Sequence, residues 1–222
     1  MAATLEVALE ARVVDEFGAA DGARHVISQS LFIGSGVPDG EADGNSSLTA
    51  DGDDANGADD EDGFDPGGII AVQGQPVDFP VTVTNSKTTA ATLYGFVDWN
   101  DDGDVADAGE TSSVAVPAGS SGLVVNLPWN VPVSASGSAA LAVRLRLSTV
   151  SGLGFSGLAS DGEVEDYQIT LTSQFDFGDL PEPQYATTFS NNGPRHPVSQ
   201  AIYLGAMPPD TESDGLPTPV AS

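Results

Sequence analysis

The residues with the most distinctive chemistry are oxygen donors that alternate along one short segment. Asp98, Asn100, Asp102 and Asp104 occupy every second position, and Glu110 follows after a further turn. Calcium takes roughly six to eight oxygen ligands in proteins, and this pattern supplies several of them locally. The segment therefore predicts a calcium site formed by Asp98, Asn100, Asp102, Asp104 and Glu110.

Two features distinguish this segment from an EF-hand. The twelfth position of an EF-hand loop holds a bidentate Glu, whereas here that position is Gly109 and the Glu comes one residue later. The segment also follows a predicted strand rather than a helix. An ordinary turn rich in Asp, Asn and Gly is the alternative interpretation, because these residues favour turns without any metal.

A second acidic run covers residues 51–62 and contains seven carboxylates. No Lys or Arg lies between His25 and Lys87 to balance them, so cations are expected to order the run. Its candidate calcium ligands are Asp53, Asp54, Asn56, Asp59, Asp60 and Asp62. Magnesium fits less well, because it retains its waters. A flexible, solvated acidic linker is the alternative.

A third acidic group, Glu163, Glu165 and Asp166, leads into a predicted strand that ends at Leu171. Alternate residues of a strand point to the same side, so Glu163 and Glu165 should share one face and Asp166 should lie opposite. All three residues are predicted as further metal ligands.

The five residues from Gly162 to Asp166 read Gly-Glu-Val-Glu-Asp, the motif that names the GEVED domain family. The resemblance covers residues 59–173 and includes the acidic segments at Asp59 and Asp98. It implies a β-sandwich with calcium-type loops, found in repetitive secreted and cell-surface proteins of bacteria. Residues 175–181 resemble the start of the segment that precedes such domains. An extracellular or cell-surface location is the corresponding expectation.

Charge and composition limit the partners. The chain has 33 acidic and six basic residues, for a formal net charge of -27. This charge would repel nucleic acid and anionic membranes and would attract cations. A halophilic surface is the alternative explanation. Because cysteine is absent, disulfides and thiolate metal sites are excluded. No long apolar run predicts membrane insertion.

An internal repeat relates residues 22–44 to residues 193–215 at a constant offset of 171. Eleven of the 23 aligned positions are identical, among them the Arg-His pairs at His25 and His196. The repeat indicates a tandem array. It also predicts contacts with adjacent repeat units, or head-to-tail self-association in which residues 175–222 of one molecule complete the region of residues 1–64 in the next.

The predicted fold is all-β, an antiparallel β-sandwich of about seven strands, Ig-like or jelly-roll-like, with long acidic loops and extended flanking segments. Residues 1–64 form an N-terminal segment, 65–173 the sandwich, and 174–222 the start of the next repeat, with a short hairpin at 201–204. Residues 4–14 read as one strand or short helix. The strands are predicted at residues 69–72, 77–84, 91–99, 112–116, 122–127, 139–147 and 164–171.

Catalysis is not expected. Paired carboxylates such as Glu163 and Glu165 also serve glycosidases, but a general acid requires an apolar enclosure that so acidic a sequence does not indicate. The predicted function is a non-catalytic, calcium-binding structural repeat of a large bacterial adhesin, matrix or filament protein. The alternative is a carbohydrate- or host-protein-binding module that presents an acidic loop or an exposed aromatic residue, with Trp99 or Trp129 able to stack on a sugar.

Overall fold

The computed structural model of the protein describes residues 22–38, 40, 50, 62–135, 140–172, 175–188, 191–198, 201–212 and 214–215. Among these residues a 3₁₀ turn covers Pro66–Gly68, and no α-helix is found. In chain order the strands are β1 Arg24–His25, β2 Leu31–Ile33, β3 Ala71–Val72, β4 Pro76–Asn85, β5 Ala91–Val97, β6 Thr111–Val116, β7 Ser120–Asn130, β8 Leu141–Ser148, β9 Leu158–Ala159, β10 Glu163–Ile169, β11 Leu171–Thr172, β12 Phe175–Phe177 and β13 Arg195–Pro197. The all-β prediction is confirmed.

Two antiparallel sheets form the main part of the fold. The larger has the strand order β10-β8-β5-β6, and the smaller has the order β2-β4-β7. Each of the seven predicted strands overlaps one of the observed strands, because alternating apolar residues marked them in the sequence. In addition, β2 lies within residues 1–64, and it pairs with β4 through Leu31–Asn85 and Ile33–Val83.

The hydrophobic core receives side chains from both main sheets. Phe79, Val81 and Val83 alternate along β4, and Leu145 and Leu147 alternate along β8; all five side chains are fully buried. Complete burial of an aliphatic or aromatic side chain contributes about 1.5–3 kcal/mol. The shared core therefore fixes the two sheets relative to each other, and with them the loops that connect their strands.

The opposite face of β8 carries two arginines that are also buried. Arg144 and Arg146 alternate with the core leucines along β8, yet they are only 1% and 0% exposed. Residues 154–157 cover them, and the carbonyl groups of Gly154 and Gly157 accept hydrogen bonds from Arg146 at 2.6 and 2.7 Å. The loop thus covers these two arginines and keeps solvent away from them.

The C-terminal part is organised around a pair of short strands. β12 pairs antiparallel with β13, and Phe175 forms a β-bridge to Glu212. The backbone N–H groups of Thr188 and Thr187 donate to the Glu182 carboxylate, which lowers the pKa of Glu182 to about 2. The predicted hairpin at residues 201–204 is wrong, because these residues form bends and no strand. No described helix is long and apolar enough to span a membrane.

Candidate functional site

The acidic loop, residues 98–110, connects β5 to β6 and is held by its own side chains. The carboxylate of Asp98 accepts hydrogen bonds from the backbone N–H groups of Asp102 and Gly103, at 3.2 and 2.9 Å. Asp104 accepts from the N–H of Ala106 at 2.8 Å. Gly103 adopts a left-handed conformation with φ of 93°, which glycine tolerates without strain. These contacts wrap the loop into a tight turn on the protein surface.

Asn100 joins two carboxylates across this loop. Its side-chain Nδ2 donates to Asp102 at 3.0 Å and to Asp107 at 2.8 Å. Both acidic residues are exposed, and their negative charges are brought together by one amide group. Asp107 was not among the predicted ligands, because it falls outside the alternating pattern of the first seven loop residues. The structure therefore adds Asp107 to the candidate site.

Glu110 ends the loop as a buried anchor. Its carboxylate is 1% exposed and accepts from the N–H groups of Trp99 at 3.1 Å and Asp107 at 3.0 Å. Burial raises the pKa of Glu110, although these two backbone hydrogen bonds partly oppose the shift. The buried carboxylate ties the end of β5 to the start of β6.

Hydrogen bonds within the loop hold it closed, and its oxygen atoms do not surround a single metal position. Among the described residues, no three acidic, histidine or cysteine side chains converge so that they could hold an ion. Asp98, Asn100, Asp102 and Asp104 lie along one turn, as predicted, but their oxygens mainly accept from loop N–H groups. Calcium binding there would require some of these side chains to rotate.

The second acidic run lies mostly outside the described residues. This holds for the predicted ligands Asp53, Asp54, Asn56, Asp59 and Asp60. Asp62 is described, and its exposed carboxylate accepts from the backbone N–H of Ser35 at 2.8 Å and of Gly36 at 3.2 Å. Asp62 thus connects the end of the acidic run to the turn that follows β2.

Glu163 and Glu165 face the interior and hold neighbouring segments. Both lie on the side of β10 that bears the core residues of the paired β8, so the predicted shared face is confirmed. Glu163 accepts a hydrogen bond from the backbone N–H of Ile33 in β2. Glu165 accepts from the hydroxyl of Tyr167 at 2.7 Å. Both carboxylates are less than 5% exposed, at 4% and 2%.

Asp166 lies on the opposite face, as predicted, where it forms a buried salt bridge. Its two oxygens accept from Nε and Nη2 of Arg144 at 2.8 and 2.6 Å, in the bidentate geometry that suits a guanidinium group. Each side chain is 1% exposed. The three acids of this motif therefore point to different partners and are not gathered around one position.

Comparison with known proteins identifies this part of the chain. Residues 92–170, from β5 to β10, match the family model of the GEVED domain. This segment is a GEVED domain. No curated protein gives a significant match to the chain.

His25 joins the N-terminal region to the GEVED domain. Its Nδ1 donates to the carbonyl oxygen of Asp161 at 2.7 Å, so its Nε2 is the acceptor for Nε of Arg146 at 3.0 Å. Burial and the adjacent Arg146 lower the pKa of His25 to about 3. Burial and Arg144 in turn lower the pKa of Arg146 to about 10. The sequence showed the Arg-His pair only as part of the internal repeat and did not identify these partners.

Asp161 secures the start of the GEVED motif. Burial alone would raise its pKa, but hydrogen bonds from Lys87, Ser148 and Thr149 outweigh that effect and lower it. The two hydroxyl groups donate at 2.6 Å each. Asp161 directly precedes the Gly-Glu-Val-Glu-Asp motif in the sequence, but it was not predicted as a metal ligand.

The tryptophans of the GEVED domain belong to its core. Trp99 and Trp129 are 1% and 3% exposed, and their rings form an edge-to-face pair with centroids 5.8 Å apart. The hypothesis that one of them is exposed for sugar stacking is therefore wrong. Trp99 follows a strand and packs inward from it, which is the more common position for a Trp.

Proposed function

We propose that this GEVED domain is a non-catalytic, calcium-binding structural repeat of a large extracellular bacterial adhesin, matrix or filament protein. The observation that carries the proposal is the position of Asn100 between the carboxylates of Asp102 and Asp107. An amide N–H group bears only a partial positive charge. The point between the two carboxylates, which this group occupies, would attract a full cation more strongly. Rotation of the amide would present its oxygen to the same point.

The composition of the loop supports a hard cation there. Asp98 and Asp104 lie on the same turn, and residues 98–110 include six carboxylates and no Lys or Arg. Oxygen donors of this kind suit calcium, which accepts irregular geometry more readily than magnesium does. The formal net charge of -27 adds a long-range attraction for cations. We infer that calcium replaces hydrogen bonds that now hold the loop closed.

The architecture supports a structural role for the domain. We infer that the two main sheets are the faces of one β-sandwich, with the acidic loop at the end of β5. Calcium binding would stabilise such a unit by RT ln(1 + [Ca²⁺]/Kd), or about 2.7 kcal/mol at a free concentration 100 times Kd. A tandem array of these units would then be stiff in calcium and weaker without it.

The test is a titration of calcium into the full chain after EDTA treatment, followed by thermal unfolding, with magnesium in parallel. We expect calcium-specific binding and a higher melting temperature. Asp102→Asn and Asp107→Asn should each weaken calcium binding by at least about tenfold, or ~1.4 kcal/mol. Asp78→Asn is the matched control, because Asp78 is an exposed acid on β4.

A chain that does not bind calcium would contradict the proposal. If calcium gives no binding heat and stability rises only in molar salt, the proposed metal site is absent and the acidic residues form a halophilic surface. The second candidate function is recognition of a carbohydrate or a host protein through an exposed aromatic side chain or an acidic loop. Trp99 and Trp129 are buried, so only the acidic loop supports it. Quenching of tryptophan fluorescence by a polysaccharide, but not by calcium, would support this second function.

A further inference from the structure

The two copies of the internal repeat share local structure. In the first copy, Arg24 donates through Nη1 to the carbonyl of Gly22 at 3.0 Å. In the second copy, Arg195 donates in the same way to Gly193 at 3.1 Å. Later in each copy a glycine takes a left-handed conformation, with φ of 79° at Gly34 and 95° at Gly205. The repeat is therefore visible in the backbone as well as in the sequence.

The same two copies differ completely in burial. Leu31 and Ile33 of the first copy are 0% exposed, within β2. Ile202 and Leu204, at the equivalent positions, are 84% and 99% exposed. Met207, three residues later, is 78% exposed. Exposed side chains of this size in one short segment are unusual for a surface that contacts only water.

The first copy shows what such a segment docks against. β2 extends the sheet at β4, and Ile33 donates its backbone N–H to the buried Glu163. Upstream, His25 accepts from Arg146 and donates to the carbonyl of Asp161. A GEVED domain thus offers a sheet edge, a buried carboxylate and an arginine to one incoming segment of the repeat.

The second copy retains the groups that this docking requires. His196 corresponds to His25 and is exposed. Together with Asp176, Ile202, Leu204 and Met207 it borders an open groove of about 610 Å³. The apolar sequence Leu31-Phe32-Ile33 is replaced conservatively by Ile202-Tyr203-Leu204. Apolar character is kept at the two outer positions, and the central Phe32 is replaced by Tyr203, which differs by one hydroxyl group.

We propose that residues 193–207 are a donor segment for a second GEVED domain, where Ile202–Leu204 adds as a strand beside that domain's β4. The mode is strand addition to a sheet edge, in which backbone hydrogen bonds hold the segment and alternate side chains fill the core. His196 would take the position of His25 beside the second domain's arginine. This inference rests on the tandem-repeat part of the proposed function and not on calcium.

The test uses two versions of the full chain, which contains no cysteine of its own. The receiver carries Leu31→Asp and Ile33→Asp, which weaken its own β2, together with Thr84→Cys on β4. The donor carries Tyr203→Cys, the counterpart of Phe32, whose Cα partner is Thr84. We expect a disulfide-linked heterodimer after the two chains are mixed and oxidised.

A control donor carries Ile202→Asp and Leu204→Asp in addition to Tyr203→Cys. Its cross-linking should fall at least tenfold, because the strand can no longer fill the core. Equal cross-linking by both donors, or none with a folded receiver, would overturn the proposal. The reaction is run in EDTA and again in calcium, so that failure of the calcium proposal is recognised separately.

A third version of the chain provides the test if circular dichroism shows that the receiver is unfolded. It carries Leu31→Ile, Phe32→Tyr and Ile33→Leu, and so holds the second-copy strand in the first-copy position. A melting temperature within about 4 °C of the parent chain supports the proposal. A larger decrease, or the loss of a cooperative unfolding transition, overturns it.

Discussion

His25 accepts a hydrogen bond from Arg146 through Nε2, an arrangement that requires the imidazole to be neutral. The bond spans 121 residues and is buried. Arg146 also donates to several carbonyl groups of the covering loop. A neutral histidine therefore completes the hydrogen bonding of a buried arginine and attaches the N-terminal repeat to the GEVED domain.

This relationship predicts a loss of stability in mild acid. The pKa of His25 is about 3 in the folded protein and 6.5 in the unfolded chain, so the unfolded state binds more protons between these values. Stability therefore falls as pH decreases from about 6.5 towards 3, by at most about 5 kcal/mol. Urea unfolding measured from pH 7 to pH 4 tests this. His25→Gln, which keeps an acceptor for Arg146 but does not titrate, should show a smaller decrease; an unchanged pH dependence would contradict the assignment.

Because Arg144 and Asp166 form a buried salt bridge, we expect the loss of one partner to lower the free energy of unfolding more than the loss of both. Asp166→Leu leaves a buried guanidinium without its carboxylate and should lower the free energy of unfolding by about 3–5 kcal/mol. Arg144→Met combined with Asp166→Leu removes both charges and should recover much of that loss. Urea unfolding of the parent and the two variants gives the comparison. A double variant no more stable than the single one would count against the charge explanation.

We expect one methyl group added at Gly162 to lower the stability of the fold strongly. Its φ is 92°, and a Cβ atom there would lie 1.7 Å from the carbonyl oxygen of Leu147. Gly162→Ala should therefore destabilise the protein by more than ~3 kcal/mol, since the backbone must shift. Gly119→Ala is the matched control, because Gly119 also has a positive φ, 73°, but no atom within 4 Å of the added Cβ. The control should lose only about 1–2 kcal/mol; thermal unfolding of both variants decides.

We expect the acidic loop to depend on the two buried carboxylate oxygens of Glu110. Glu110→Gln replaces one accepting oxygen by an amide donor, so either the N–H of Trp99 or that of Asp107 loses its partner. We expect a loss of about 1–3 kcal/mol in the free energy of unfolding. The near-UV circular dichroism of Trp99 should also change. If Glu110→Gln behaves like the surface control Asp78→Asn, the carboxylate does not anchor the loop.

Some features of this protein were evident from the sequence. Alternation of apolar and polar residues, as at Phe79, Val81 and Val83, identified the strands of the two main sheets other than β2. The Gly-Glu-Val-Glu-Asp run indicated the GEVED family, which the family comparison shows. The faces of Glu163, Glu165 and Asp166 on β10 also followed from strand geometry. These are properties of neighbouring residues, and local spacing is enough to define them.

The partners of those residues were decided by the tertiary structure. Glu163 bonds to Ile33 over a separation of 130 residues, and His25 bonds to Arg146 over 121. The clearest case is the repeat: Ile33 is fully buried, whereas the closely similar Leu204 is 99% exposed. Burial depends on which sheet edge lies beside a segment, and in this chain the β4 edge is already occupied by β2. Sequence alone specified two equivalent segments, and the packing of distant strands made one of them core and the other surface.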